Sequence, residues 1–157
     1  MKFQSIIKNL SLVTDVDAHC DIPCGIYDPI VAKIAAQTVL KMAVRLEAVD
    51  FQGGPSSVDV PNSVVRFVQV KEEHAQKVKE ELNILWADYF KPEHLEKYPN
   101  LHELFWNANK LAGANKQSVS SDSAKKLVQS VDEIATIFWA TKGVEYNDSV
   151  ADIRFGS

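Results

Sequence analysis

Cysteine is scarce in this chain: two in 157 residues. That excludes the disulfide framework of a small secreted domain and leaves at most one bridge. No run of about 18 apolar residues is present, so no transmembrane helix is expected. Charge of one sign is not in excess either, with 17 Lys and Arg against 21 Asp and Glu, a formal net charge of -4. Without a basic cluster, the chain does not read as a general nucleic-acid binder. There is no internal repeat, no low-complexity segment and no alternating strand pattern. What remains, 46% hydrophobic and 24% charged residues, is the ordinary composition of one soluble globular domain with a sizeable core.

Helical spacing dominates. Asp28-Pro29 is a helix-start signal, because Asp accepts from free amides and Pro is tolerated in the first turn. Ile30, Ile34, Met42, Leu46 and Val49 then recur at helical period to about Asp50. Gly53-Gly54-Pro55-Ser56-Ser57 marks a loop. From Pro61 to Phe90 a second, long stripe runs through Val64, Phe67, Val68, His74, Val78, Leu82, Leu85, Trp86 and Tyr89. Lys91-Pro92 stops it, the stretch to Tyr98 reads as a connection, and Pro99 is expected to open a third helix on Leu101, Leu104, Phe105, Ala108, Leu111 and Ala112, ended by Gly113 and the polar run after it. A fourth, from about Asp122, carries Leu127, Val131, Ile134, Phe138 and Thr141 and stops near Gly143. The fold class is therefore all-α, an antiparallel up-down four-helix bundle. Trp86, Phe90, Phe105, Trp106, Phe138 and Trp139 belong to core or interface. The stretch from Val144 to Ser157 has no strong period and reads as a mobile tail or one packed on a neighbouring subunit.

Both cysteines fall in one nine-residue stretch, His19-Cys20-Asp21-Ile22-Pro23-Cys24-Gly25-Ile26-Tyr27. Thiolates beside an imidazole are a transition-metal donor set, and Pro23-Cys24-Gly25 supplies a bend that folds Cys24 back toward Cys20. Four ordinary side-chain ligands are not within reach, so a closed tetrahedral zinc site is incomplete. If the chain began at His19, its free amine, the Cys20 amide nitrogen and the Cys20 thiolate would form two fused chelate rings, and Cys24 would close a square. That planar nitrogen and sulfur field suits nickel(II) or copper(II), with the His19 imidazole able to reach an axial position.

The nine residues resemble the amino-terminal hook of the nickel-containing superoxide dismutases. Trp86-Ala87-Asp88-Tyr89-Phe90-Lys91-Pro92, His94, Glu96-Lys97-Tyr98-Pro99, Leu101-His102, Ile137-Phe138-Trp139 and Thr141-Lys142 are similar to that family's helical body. The resemblance implies one nickel ion per subunit, held by His19, Cys20 and Cys24 and cycling between nickel(II) and nickel(III) as superoxide becomes dioxygen and hydrogen peroxide. It implies that residues 1–18 are a leader cut between Ala18 and His19 by a processing peptidase, leaving 19–157 as hook plus bundle, and that the subunits form a homohexamer. Tyr27 would stand over the open metal face with Tyr89 as its neighbour, Lys91 would draw in the anion and Asp21 would brace the hook. His94 and His102 read as structural. Residues 1–18 lack the continuous apolar core of an export signal, and the site needs reduced thiols, so the expected location is the cytoplasm, with neither membrane nor nucleic acid as partner.

The chain departs from the family pattern in one respect. Where better-known members place a glutamate and an arginine to support the metal histidine, the aligned positions are Ala35 and His74, so His74 or Gln37 is expected to hold the His19 imidazole instead. Two other classes fit the same residues: a nickel or copper carrier without turnover, and a helical bundle in which Cys20 and Cys24 form a disulfide.

Overall fold

The computed structural model describes residues 25–50 and 58–156. Residues 1–18, the hook residues His19, Cys20, Asp21 and Cys24, and the Gly53-Gly54-Pro55-Ser56-Ser57 loop lie outside the described residues. Those described form four long helices: α1 (Ile30–Glu47), α2 (Asp59–Ile84), α4 (Leu101–Gln117) and α5 (Ser121–Thr141). Each packs on the next and α1 closes against α5, which gives the up-down four-helix bundle. A π-helical turn, Leu85–Tyr89, ends α2. Two short helices complete the order, α3 (Pro92–Lys97) and α6 (Ala151–Phe155).

The helix ends follow local chemistry. Asp28 Oδ1 accepts the Ile30 amide at 2.8 Å, so the Asp-Pro signal starts α1 as expected, one residue later than a plain N-cap. Ser120 Oγ caps α5 by accepting from the Ser123 amide at 3.1 Å. Its next free amide, Ser121, is taken by Glu47 Oε1 at 2.7 Å, and this bond holds the Glu47 carboxyl below its ordinary range. At the other end of α5, Gly143 adopts φ 73 and the Val144 amide returns to the Trp139 carbonyl at 3.0 Å. That left-handed residue is what closes the Schellman turn.

Small residues set the helix separation. Ala32, Ala35, Ala36 and Ala43 on α1, Ala75 on α2, Ala108 and Ala112 on α4 and Ala124 on α5 are all buried. Around them Val39, Val78, Leu82, Leu101, Leu127, Val131, Ile134 and Phe138 fill the core.

Several expectations are corrected. Ile34 is 43% exposed, while Lys33 and Gln37 on the same helix are buried. Lys33 reaches across to Asp132 on α5. The first half of α2 contains no fully buried residue before Lys71, and Val65 is 65% exposed. Lys71 is buried because its ammonium donates to the carbonyls of Asn115, Lys116 and Ser118 at the end of α4. Cations suit that end of a helix, and the burial lowers the ammonium pKa. The Pro92 region is a short helix, not a plain connection. Gly113 does not end α4, which runs on to Gln117.

The stretch after Gly143 packs on its own chain. Arg154 makes a bidentate pair with Asp148 at 2.8 and 2.9 Å and also donates to Gln37 Oε1 at 3.0 Å. Gln37 Nε2 donates to the Ala151 carbonyl at 3.0 Å, and Lys41 Nζ to the Gly156 carbonyl at 2.7 Å. Tyr146 is turned toward Asp132, and burial, with the Asp132 and Asp148 carboxylates, pushes its phenol above the ordinary range.

Two outcomes follow. A methyl built on Gly113 meets nothing within 4 Å, so Gly113→Ala is expected to raise stability by about 0.5–1 kcal/mol in a denaturant titration. Arg154→Ala is expected to cost about 1–2 kcal/mol and to speed proteolysis within residues 144–156. The Arg154 hydrogen bond lowers the Asp148 carboxyl below its ordinary 3.8. The folded pKa lies below the unfolded one, so this stabilisation is complete above that value and is lost as pH falls through the lowered one. Acid should therefore shrink the difference between Arg154→Ala and the native protein.

Candidate functional site

The described chain begins where the hook ends. Gly25, the last residue of the expected bend, has φ 69, the left-handed conformation such a turn uses. Ile26 points out, 73% exposed, and Tyr27 turns in. Its ring centroid lies 5.6 Å from that of Tyr89, with planes tilted by 55°. The two tyrosines expected to stand together are in contact.

Tyr89 owes its position to the π-turn. The Phe90 amide bonds the Leu85 carbonyl at 3.1 Å, an i to i+5 closure that carries one extra residue per turn. Lys91 is extended (φ -125, ψ 164), as a residue before proline must be, and the chain leaves α2 sharply. Phe138 contacts the Tyr89 ring at 4.4 Å, His94 stacks on it at 5.7 Å and 15°, and Phe90 meets it edge-on at 5.1 Å. The Tyr89 hydroxyl lies 2.5 Å from Thr141 Oγ1, and Thr141 in turn donates to the Phe138 carbonyl at 2.6 Å.

Two cations border this corner. Lys91 is exposed, two residues beyond Tyr89, and its backbone amide donates to His94 Nδ1 at 3.1 Å. Lys142 Nζ sits 5.1 Å from the Tyr89 ring centroid and 5.2 Å from that of Phe138. A chain of formal charge -4 thus places a cation, Lys142, directly against the Tyr89 ring. The cleft of about 250 Å³ between Asp28, Ile30, Trp139, Tyr146 and Asp148 is a poorer site for an anion, because carboxylates line it.

Spacing placed Thr141 on the face of the fourth helix but gave no sign of its bond to Tyr89, of Lys142 over the Tyr89 ring or of the packing of His94 on Tyr89. Thr141 and Lys142 stand next to each other at the end of α5, three and four residues after Phe138. A polar pair placed there, on the last turn of a helix whose buried face it continues, was the available signal.

The supporting residues are placed as follows. Ala35 is buried in the core. Gln37 has both ends of its amide engaged with the carboxy-terminal segment. His74 Nδ1 donates to the Val70 carbonyl at 2.8 Å, which leaves Nε2 as the ring nitrogen not engaged there. His102 packs on Trp86, ring centroids 5.1 Å apart. Among the described residues no group of three His, Cys, Asp or Glu could hold a metal ion. The donor chemistry that fits one is that of His19, Cys20 and Cys24, joined through Gly25 to the Tyr27 and Tyr89 corner.

Comparison with known proteins bears on this arrangement. Residues 14–142 match the family model described as nickel-containing superoxide dismutase. A protein of Streptomyces coelicolor (strain ATCC BAA-471 / A3(2) / M145) named superoxide dismutase [Ni] is 38% identical over 127 residues, covering 81% of this chain and 90% of the relative. A protein of the same name from Streptomyces seoulensis is 39% identical over 130 residues, with the same coverage. A native nickel superoxide dismutase structure matches at TM-score 0.70 and 37% identity over 79% of this chain and 99% of its own. A structure with nickel ligation corresponding to the oxidised state matches at TM-score 0.71 and 37% identity, over 80% and 100%.

Proposed function

The chain belongs to the nickel-containing superoxide dismutase family, nickel-dependent oxidoreductases that convert two superoxide anions and two protons into dioxygen and hydrogen peroxide, and on that premise we propose how its residues divide the work. The observation that carries the assignment of roles is the Tyr27–Tyr89 contact three residues beyond Cys24.

The metal would be held by Cys20 and Cys24 as thiolates, the Cys20 amide nitrogen and the amine and imidazole of His19. Nickel held by those residues would supply one-electron redox chemistry between successive superoxide anions. Anionic sulfur and deprotonated amide donors raise electron density enough for the higher valence to be reached. The amine becomes available only if the bond before His19 is cut, so residues 1–18 are a leader removed by a peptidase. Asp21 braces the hook by accepting hydrogen bonds from it.

Tyr27 and Tyr89 cover the approach, limiting what enters and ordering water. Lys91 and Lys142 concentrate the anion at that corner, because charge of one sign beside a low-dielectric wall focuses the field on an approaching anion. His74, whose Nε2 is the ring nitrogen not engaged with Val70, orients the His19 imidazole. The subunits assemble as a homohexamer, a reading favoured by apolar side chains outside the core: Val58 and Val65 on and before α2, and Trp106 on α4, 57% exposed. No helix of the described residues is long and apolar enough to cross a membrane. The requirement for reduced thiols favours the cytoplasm.

Native mass spectrometry of the active protein is expected to find His19 as the first residue, one nickel per subunit and six subunits. Cys20→Ser is expected to lose both nickel and superoxide consumption. Activity from protein still beginning at Met1, or nickel bound stoichiometrically without turnover, would contradict the reading, the second outcome favouring a carrier. Lys91→Gln and Lys142→Gln should each slow the reaction about two- to fivefold at low ionic strength. The loss should fade toward 1 M salt, where the screening length falls to about 3 Å.

A further inference from the structure

We infer that Thr141 is a positioning residue that fixes the direction of the Tyr89 hydroxyl, so that Tyr89 offers the incoming reactant a lone pair and not a proton. The inference rests on the reading that Tyr89 stands at the nickel site.

A threonine hydroxyl has one proton and two lone pairs. Thr141 Oγ1 lies 2.6 Å from the Phe138 carbonyl, and a carbonyl oxygen can only accept, so the single threonine proton is committed there. The 2.5 Å contact between Tyr89 and Thr141 then has only one possible donor, the phenol. Its one proton is spent in turn, directed at the last turn of α5. The end of that helix makes this arrangement stable, because the Lys142 amide turns to the Trp139 carbonyl at 3.0 Å, and Thr141 serves the carbonyl one residue earlier. The ring itself cannot swing, held between Phe138, His94 and Phe90.

An acceptor-only oxygen at the entrance discriminates by chemistry. It cannot bond an anion directly, but it accepts from water, whose second hydrogen then points away toward the anion. The arrangement keeps superoxide one water removed from Tyr89 and leaves a water positioned to deliver one of the two protons that peroxide formation takes up. Lys142, over the ring at 5.1 Å, attracts the anion without offering it this hydroxyl.

The test uses the processed, nickel-loaded protein and azide as the anion probe. Thr141→Val keeps the shape and removes the acceptor, so the phenol proton is released toward the entrance. Calorimetric titration should then show azide binding about tenfold tighter, the scale of one added hydrogen bond to a charge. Thr141→Ser should restore the native value. In a Tyr89→Phe background the Thr141→Val effect should vanish. Ultraviolet resonance Raman spectra, taken as the difference from Tyr89→Phe, should report Tyr89 as a donor in the native protein and in Thr141→Ser, but not in Thr141→Val. Unchanged azide affinity together with an unchanged Raman signature in Thr141→Val would overturn the inference and leave the role of Tyr89 intact. If Tyr89→Phe itself altered neither azide binding nor turnover, the placement of Tyr89 at the site would fall, and the inference with it.

Discussion

The contact between Tyr89 and Phe138, at 4.4 Å between ring centroids, ties the site to the core. Phe138 is fully buried among Leu82, Leu101, Leu127 and Ile134, so it cannot shift without opening the bundle. Tyr89 leans on it, Tyr27 leans on Tyr89, and Cys24 lies three residues before Tyr27. The last residue of the nine-residue motif is thereby referred to the buried core. Such dependence suits a metal site, whose ligands gain precision only from the elements behind them.

The charges inside the bundle follow a related logic. Lys33 and Lys71 are buried, yet each ends on a group able to receive it: Asp132 for Lys33, and the terminal carbonyls of α4 for Lys71. An unpaired ammonium in either place would cost several kcal/mol. Both lysines join helices distant in sequence, α1 to α5 and α2 to α4, which also pack through small alanines. Close backbone approach and polar cross-links complement each other here. The first brings the helices near, and the second fixes how they are turned.

Much of this was legible in the sequence, and the illegible parts share a cause. Helical period located α1, α2, α4 and α5, and the Asp28-Pro29 and Gly143 signals located two of their ends, because those are local effects. The hook motif and the pairing of Tyr27 with Tyr89 were legible through family resemblance. Burial of Lys33, Gln37 and Lys71 was not, since each is buried only because a remote partner lies opposite it: Asp132, the segment around Ala151 and Arg154, and the end of α4. The carboxy-terminal segment was opaque for the same reason. Its attachment depends on Gln37 and Lys41 more than 100 residues earlier, and it lies past residue 142, where the family match stops. Gly113 misled because a glycine commonly ends a helix, and here the helix continues through it.

The π-turn shows how a defect becomes useful. One residue more than a regular helix would hold is accommodated between Leu85 and Tyr89, and an extra residue rotates whatever follows by about 100° about the axis. Loss of a single codon in this stretch would repair the hydrogen-bond ladder and swing the tyrosine away from its seat on Phe138. The irregular backbone over these five residues is therefore what aims the Tyr89 ring at Phe138 and Tyr27.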